Sequence, residues 1–528
     1  MTTHPAAARR KKLPIGIQTF AKIREGGGAY YYVDKTPHIL RLLDQGSHYF
    51  LSRPRRFGKS LLLDTIAELF EGRREFFQGL HAEQHWDWSQ RFPVLRISFG
   101  KGQLRNRAEL DLRIRLLLLE NYESLGLEPP EGQDISGLFT QLIRRAEARF
   151  GQRVVVLIDE YDKPILDNIT EPETARDMRG GLRNLYSVLK DEDPHIRFVM
   201  LTGVSKFSKV SLFSGLNNLR DITVSSEFSS ICGYTDEDVD TVFAPELPGL
   251  DRDEIRLWYN GYNWTGKSVY NPFDLLLLLQ EREFKPYWFE TGTPTFLVEL
   301  LTQRQTFTPD LERRVALESL LSSFDVDEIA TEALMFQAGY LTIGSVQRIG
   351  AQPRYTLRYP NQEVRSSLND VLLRRYVPDT TAVMRHTGEL YELLLANDFD
   401  GLRALFTAFF ASIPNDWYRN SPIARFEGYY ASVFYSHFAA LGLDIRLEDA
   451  TNKGRVDMTV LFNGQVYLFE FKVVELLPEG RALQQIKARG YADKYRARGE
   501  PIHLIGVEFS QAERGVVGFE VEQLTPEA

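Results

Sequence analysis

The sequence predicts an α/β protein of several domains: a parallel sheet toward the N-terminal end, a mainly helical middle, and a smaller α/β unit toward the C-terminal end. Three observations carry this. Short apolar runs alternate with long helical periods over about residues 14–245, the pattern of strands buried on both faces and joined by helices. Leu and aromatic residues dominate about 246–415, mostly in helical pattern. Beyond about 416, two strand-like runs flank Asn463-Gly464, the strongest short hairpin signal.

Taken in order, residues 1–13 read as a flexible basic tail. Arg9, Arg10, Lys11 and Lys12 lie there, and no apolar stretch follows as a signal peptide requires. The predicted strands of the first region are His48–Leu51, Val94–Ser98, Val154–Ile158 and Arg197–Leu201, with helices at Leu61–Phe70 and Ala108–Leu125. In the middle region, helices precede two short β-like pieces, Gly339–Ile343 and Tyr355–Tyr359, an order that suits a winged-helix module. The last region, 416–528, reads as a helix over about Ile423–Leu441, strands at Arg455–Phe462 and Gln465–Val474, a helix over Gly480–Arg498 and a strand at Ile502–Phe509.

Composition bounds the function. At roughly 150 residues per domain, 528 residues imply three or four domains. Hydrophobic residues at 43% and charged residues at 26% are a globular balance, which excludes wholesale disorder. The single cysteine, Cys232, excludes a disulfide scaffold or a cysteine zinc site and fits a cytoplasmic protein. With 63 basic and 72 acidic residues the net charge is −9. That excludes a uniformly basic binder but leaves room for a local basic track. The longest aliphatic runs, Leu275–Leu279 and Leu116–Leu119, fall far short of the roughly 18 residues a membrane helix needs.

Two constellations carry chemistry. Ser52-Arg53-Pro54-Arg55-Arg56-Phe57-Gly58-Lys59-Ser60 follows a predicted strand and precedes a predicted helix. Its end is a Walker A loop: backbone N–H groups cradle phosphates, Lys59 reaches the β- and γ-phosphates, and Ser60 supplies a hydroxyl to Mg2+. Arg53 stands where the general pattern asks for glycine. Arg55 and Arg56 lie within the loop, either on phosphates or in solvent. About 100 residues later, Val154 to Ile158 is an apolar strand ending in Asp159-Glu160. This looks like Walker B, with Asp159 on Mg2+ and Glu160 orienting the attacking water. Thr202 to Phe207, at the end of a further strand, either sense the γ-phosphate or cap a loop.

Near the C-terminal end, Asp457 lies six residues before Asn463, and Glu470 six after Gly464. A hairpin therefore sets the two carboxylates opposite each other, where they repel unless a cation lies between them. A hard divalent ion fits oxygen ligands of this kind. Lys472, two residues from Glu470, faces the same side and can stabilise phosphate charge. Glu427 on the preceding helix and Gln485 on the following one are supporting positions. The segment Gly480–Arg498 adds Arg481, Lys487, Arg489, Lys494, Arg496 and Arg498 against Asp493, six cations to one acid. Such a stretch suits a nucleic-acid backbone; alternatively it is a solvated helix.

These residues, with Tyr32-Val33-Asp34-Lys35-Thr36, Leu157 to Asp162, Leu201 to Ser208, Tyr259-Asn260-Gly261-Tyr262, Asn271-Pro272-Phe273, Thr291 to Pro294, Gln337 to Leu341, Tyr359-Pro360-Asn361 and Glu470-Phe471-Lys472, occur in order along one chain. The chain resembles the AAA-ATPase-like proteins of bacteria and archaea that carry a C-terminal PD-(D/E)XK nuclease domain. The resemblance covers nearly the whole chain, including Arg55-Arg56 and the missing first glycine. It implies a P-loop NTPase sheet and a restriction-endonuclease-like C-terminal domain. It further implies ATP and Mg2+ at Gly58, Lys59, Ser60, Asp159 and Glu160, and a nuclease core of Asp457, Glu470 and Lys472 supported by Glu427 and Gln485. Val456 stands where the superfamily usually has proline before the first aspartate.

The expectation is an ATP-binding protein, an ATPase by its Walker B pair, coupled to a Mg2+-dependent nuclease (Mn2+ serving as well) that hydrolyses phosphodiester bonds of nucleic acid, DNA for preference. The setting would be defence or mobile-element biology. The rival is a STAND-type signalling or scaffold ATPase whose nuclease-like domain binds without cutting. Self-assembly into a homo-oligomer is compatible with both.

Overall fold

The computed structural model describes residues 10–206, 218–292, 330–350, 352–376, 380–411, 427–451, 453–513 and 515–525, with 297, 301, 311, 314–317 and 321. At 290–292, 349, 375–376, 380–384 and 427–429 the backbone alone is described. The chain divides into two compact units, Met1–Gly292 with Arg314–Asn361, and Thr293–Arg313 with Gln362–Ala528. Of the middle region read from the sequence, the residues up to 292 and 314–361 thus fall in the first unit and those from 362 in the second.

The first unit is built on five strands, β1 (His48–Ser52), β2 (Val94–Ser98), β3 (Val154–Asp159), β4 (Ile196–Gly203) and β5 (Arg220–Asp221). They form one sheet in the order β2-β3-β4-β1-β5, with every pairing parallel. All five residues of β1 are buried, as are the first five of β3. This explains why these strands read as unbroken apolar runs rather than alternations. One strand, β4, separates β1 from β3, so the loops at their carboxyl ends open onto one rim, where ligands of open α/β sheets bind. Helices Arg107–Ser124, Ile135–Phe150 and Pro172–Asp191 connect the strands. The first two start on side-chain caps, Asn106 accepting from Glu109 N and Asp134 from Gly137 N.

The same unit holds a three-stranded sheet of β6 (Val315–Leu317), β7 (Thr342–Ile349) and β8 (Gln352–Arg358), ordered β6-β8-β7 and antiparallel throughout. Helix Thr331–Ala338 precedes β7 and ends at Gly339, whose φ of +92° is the left-handed cap. The two β-like pieces of the middle region are thus one hairpin, longer than their apolar cores, because its outer half, with Ser345, Gln347, Arg348, Gln352 and Arg354, carries too few apolar residues for a strand signal.

The second unit contains β9 (Asp444–Thr451), β10 (Gly454–Phe462), β11 (Gln465–Val474), β12 (Ile502–Ser510) and β13 (Val516–Leu524). The sheet order is β13-β12-β11-β10-β9. Only β11 and β12 run parallel. The hairpin turns at Asn463-Gly464, where both residues have positive φ, +49° and +69°, as a type I′ turn demands. Two strands escaped the sequence reading. In β9 exposed and buried positions alternate, but buried Asp449 breaks the apolar series. In β13 only three of nine positions are buried.

Helices cover both faces of the sheet. Phe469 and Phe471 pack edge-on against Phe434 of helix Glu427–Ala440. On the other face, Val466 and Leu468 pack with Ile486 and Tyr491. The expected helix Gly480–Arg498 is shorter. It spans Arg481–Arg489, and Gly490, at φ +57°, ends it; two 3-10 turns, Tyr491–Lys494 and Arg496–Arg498, follow. Left-handed glycine at this cap is what stops the helix. The expected start of the preceding helix, Ile423 to Arg425 and Phe426, lies outside the described residues.

Candidate nucleotide and metal sites

The loop between β1 and helix Lys59–Phe70 is shaped by two left-handed residues, Arg56 (φ +68°) and Gly58 (φ +89°). Gly58 tolerates this conformation; Arg56 holds it at a cost, as residues of ligand loops do. Lys59 is buried, and its Nζ donates to Arg53 O and Pro54 O, both at 2.9 Å. Burial lowers its ammonium below the usual lysine range, against the opposing charge of Asp159. Ser60 Oγ donates to Asp159 Oδ2 at 2.6 Å. The Walker A hydroxyl and the Walker B carboxylate, 99 residues apart, therefore meet directly. Thr202 Oγ1, at the end of β4, donates to Asp159 Oδ1 at 2.7 Å and fixes the carboxylate from the other side.

Glu160 follows with φ +51°. Burial and then the Asp159 charge raise its carboxyl above the usual range. Asp162, which the sequence reading left without a role, accepts from Val204 N at 3.0 Å and from Ser205 N and Oγ, both at 2.6 Å. It ties the Walker B turn to the end of β4. Phe207 and Ser208 lie outside the described residues.

A cavity of about 550 Å³ opens on this loop. Arg55, Arg56, Lys59, Ser60 and Glu160 line it together with apolar Ile17, Ile231 and Leu276. Its size and its mixture of cations and apolar side chains suit a ligand with charged and flat parts. Arg55 and Arg56 are exposed, and the Arg56 guanidinium lies 4.8 Å from the Phe273 ring centroid.

Arg53, the departure from the Walker pattern, has no place in this cavity. It is completely buried. Nη1 donates to Ser52 O (2.8 Å) and Thr223 O (2.9 Å), and Nη2 to Phe228 O (3.2 Å). Its guanidinium lies 3.9 Å from the Trp264 ring centroid, and burial lowers its pKa to about 10. Arg53 thus clamps the base of the loop to the segment after β5. Arg53→Gly, which restores the general pattern, is expected to destabilise the first unit by about 3 kcal/mol, because three buried carbonyls lose a charged donor. Urea unfolding measures this, and a loss below about 1 kcal/mol would contradict the clamp.

In the second unit the register Met458–Phe469, continued by one residue, sets Asp457 opposite Glu470. Asp457 Oδ2 accepts from Phe471 N at 2.8 Å. Glu470 is completely buried. Its Oε1 accepts from Gln485 Nε2 and, at 3.4 Å, from Lys472 Nζ; its Oε2 is buried without a hydrogen-bond partner. Burial and the Asp457 charge push the Glu470 carboxyl up to about 8, against the pull of Lys472. An orphaned carboxylate oxygen facing a second carboxylate fits a cation. The residues that would hold one are Asp457 and Glu470. Glu427 opens the helix Glu427–Ala440, and its side chain lies outside what is described. Among the described residues, no cluster of three or more His, Cys, Asp or Glu side chains is arranged to hold a metal.

Two positioning residues were missed by sequence reading. Glu508 is buried in β12, in register with Lys472. Its carboxylate accepts from the backbone N of Glu479 (2.5 Å), Gly480 (3.0 Å), Arg481 (2.6 Å) and Ala482 (3.3 Å). It thereby anchors the N-terminus of the helix that carries Gln485, where a negative charge is stabilising. At Gly506, in register with Glu470, any Cβ would overlap the backbone N of Leu483, so only glycine lets that helix approach. An acid inside the apolar run Ile502–Phe509 was the available signal. Glu508→Ala is expected to cost about 2 kcal/mol in urea unfolding of the second unit; a cost under about 0.5 kcal/mol would mean the amides do not need it.

The basic segment is largely neutralised. Arg481 pairs with Glu479, Lys487 with Glu522, Lys494 with Asp449, Arg496 with Asp493 and Arg498 with Glu500. Arg489 Nη1 donates to Lys453 O at 3.3 Å. The excess of six cations over one acid was real in sequence, but distant acids fold onto it.

Two family models match the chain, one in each unit. Residues 14–213 match a family described as "Predicted AAA-ATPase", and residues 425–519 match the PD-(D/E)XK nuclease superfamily. A protein of Azotobacter chroococcum mcd 1, described as an uncharacterized protein in the vnfD 5′ region, is 72% identical over 515 residues, 98% of this chain and 99% of its own. The chain belongs to that protein's family, AAA-ATPase-like with a PD-(D/E)XK nuclease-superfamily domain. Among solved structures, the Aeropyrum pernix ORC1 protein in complex with DNA is similar at 12% identity with a TM-score of 0.25, over 67% of this chain and 96% of that one. This AAA-ATPase-like protein has no helix, among the described residues, long and apolar enough to cross a membrane.

Proposed function

We propose that the C-terminal site hydrolyses phosphodiester bonds of nucleic acid with Mg2+ or Mn2+, and that ATP binding and hydrolysis at the N-terminal site gate it. The observation that carries the first half is the orphaned, buried Glu470 Oε2 opposite Asp457. A divalent cation, when bound, supplies Lewis acidity toward a phosphoryl oxygen and lowers the pKa of water. The chain's own residues do the rest. Asp457 and Glu470 hold the ion. Lys472 is placed to stabilise developing phosphate charge. Gln485 orients the Glu470 carboxylate. For the N-terminal site, Lys59 and Gly58 cradle the phosphates, Ser60 and Asp159 hold Mg2+, and Glu160 orients water. We place the activity in defence or mobile-element biology; equal phage plating with and without the gene across a broad panel would oppose that setting.

The ion pairs along Arg481–Arg498 favour a second reading, a signalling or scaffold ATPase whose nuclease-like domain binds without cutting. Calorimetry separates the two. Titration of nucleotide-free protein with Mn2+ is expected to show a binding event that Asp457→Ala with Glu470→Gln removes. Identical heats for wild type and variant would favour the scaffold.

A further inference from the structure

The cavity beside the phosphate loop has a second end, and the chain segment around residues 14–20 helps to build it. Phe20 N donates to Asp64 Oδ2 at 2.6 Å, and the Tyr32 and Thr65 hydroxyls lie 3.5 Å apart. Asp64 and Thr65 follow Ser60 on helix Lys59–Phe70, about 6–8 Å farther along its axis at the rise of an α-helix. Lys12 N donates to Ala29 O and Tyr31 N to Lys12 O, at 2.9 and 3.0 Å, which pins the start of the segment. The cavity continues from the phosphate loop to this end, where Ile17, Gln18, Tyr32, Leu62 and Thr65 line it. A nucleotide held by its phosphates at Gly58, Lys59 and Ser60 leaves its base, the flat part, for this end.

Little of the polarity there is uncommitted. The Thr65 hydroxyl donates to Leu61 O at 2.8 Å, and Lys35, also in the lining, pairs with Asp238 at 3.3 Å. Gln18 differs. It is exposed, and it carries the only side-chain amide in the lining among the described residues. That amide has no hydrogen-bond partner among them. Gly16, at φ +69°, turns the backbone just before it, a conformation that favours glycine. An amide offers one acceptor and one donor group side by side. The N7 and N6 edge of adenine presents an acceptor and a donor, which one amide matches with two bonds; the same edge of guanine presents two acceptors, N7 and O6, of which the amide serves one.

We propose that Gln18 is the base-reading residue of the nucleotide site, pairing with N6–H and N7 of adenine and so selecting ATP over GTP. This rests on the nucleotide proposed for the N-terminal site. The test is titration of nucleotide-free, full-length protein with ribose-labelled fluorescent ATP and GTP in Mg2+, the label leaving the base untouched. Wild type is expected to bind ATP at least about tenfold more tightly than GTP, the discrimination of one two-bond pairing. Gln18→Ala is expected to bring the two affinities together by weakening ATP while leaving GTP nearly unchanged. Misfolding would weaken both, so retained GTP binding separates base reading from damage. Thr19→Ala, at the neighbouring exposed residue whose side chain makes no cap bond, is expected to keep the wild-type preference. Equal affinities or a GTP preference in wild type, an ATP preference that survives Gln18→Ala, or an equal loss of both nucleotides in that variant would each overturn this inference and leave the nucleotide site standing. Binding of neither nucleotide by wild type overturns the nucleotide reading itself, and this inference with it.

Discussion

Lys59→Ala is expected to weaken ATP binding about 100-fold, or about 2.7 kcal/mol, the loss typical when one partner of a buried charge contact is removed. The reason is local. Lys59 is buried and donates only to the neutral carbonyls of Arg53 and Pro54, and burial depresses its ammonium with Asp159 opposing that effect. A polyphosphate offers this cation a charged acceptor in place of two neutral ones. Titration with a fluorescent ATP analogue measures the change, and equal affinity in wild type and variant would remove Lys59 from the site. The loop keeps its shape in the variant, since Arg53 and the Trp288 Nε1 bond to Arg55 O hold it independently of Lys59.

Glu470→Gln is expected to lower cleavage at least about 100-fold, the scale for removing a group that acts on transition-state charge. Its stability should move the other way or not at all. Glu470 is buried with Oε2 unpartnered, and burial raises its carboxyl to about 8. A neutral amide of the same shape fits that pocket without the desolvation cost of a carboxylate. An unfolding midpoint at or above that of wild type, together with lost cleavage, marks a functional residue whose charge opposes folding. Lost cleavage with a lowered midpoint would instead make Glu470 structural.

Much of both sites was legible in the sequence, for identifiable reasons. Gly58-Lys59-Ser60 after a buried strand and Asp159-Glu160 at the end of another are local patterns, and the parallel sheet brings Ser60 to Asp159. The Asn463-Gly464 turn fixes the register and so the juxtaposition of Asp457 with Glu470. What escaped depends on partners far away in the chain. Arg53 departs from the loop pattern, and its clamp is visible only once Thr223, Phe228 and Trp264 are in place. The cations of Arg481–Arg498 looked free because Asp449 and Glu522, which neutralise two of them, lie outside the segment. Glu508 is an acid in an apolar strand, and nothing local shows that it accepts from four amides at the start of the preceding helix.

The most direct test of the account is cleavage of plasmid and single-stranded DNA by the full-length protein with Mg2+ or Mn2+, run with and without ATP. Metal-dependent cleavage is expected, abolished by Asp457→Ala with Lys472→Ala, and altered by ATP in wild type but not in Lys59→Ala. Equal cleavage by wild type and the Asp457→Ala, Lys472→Ala variant would contradict the assigned nuclease site.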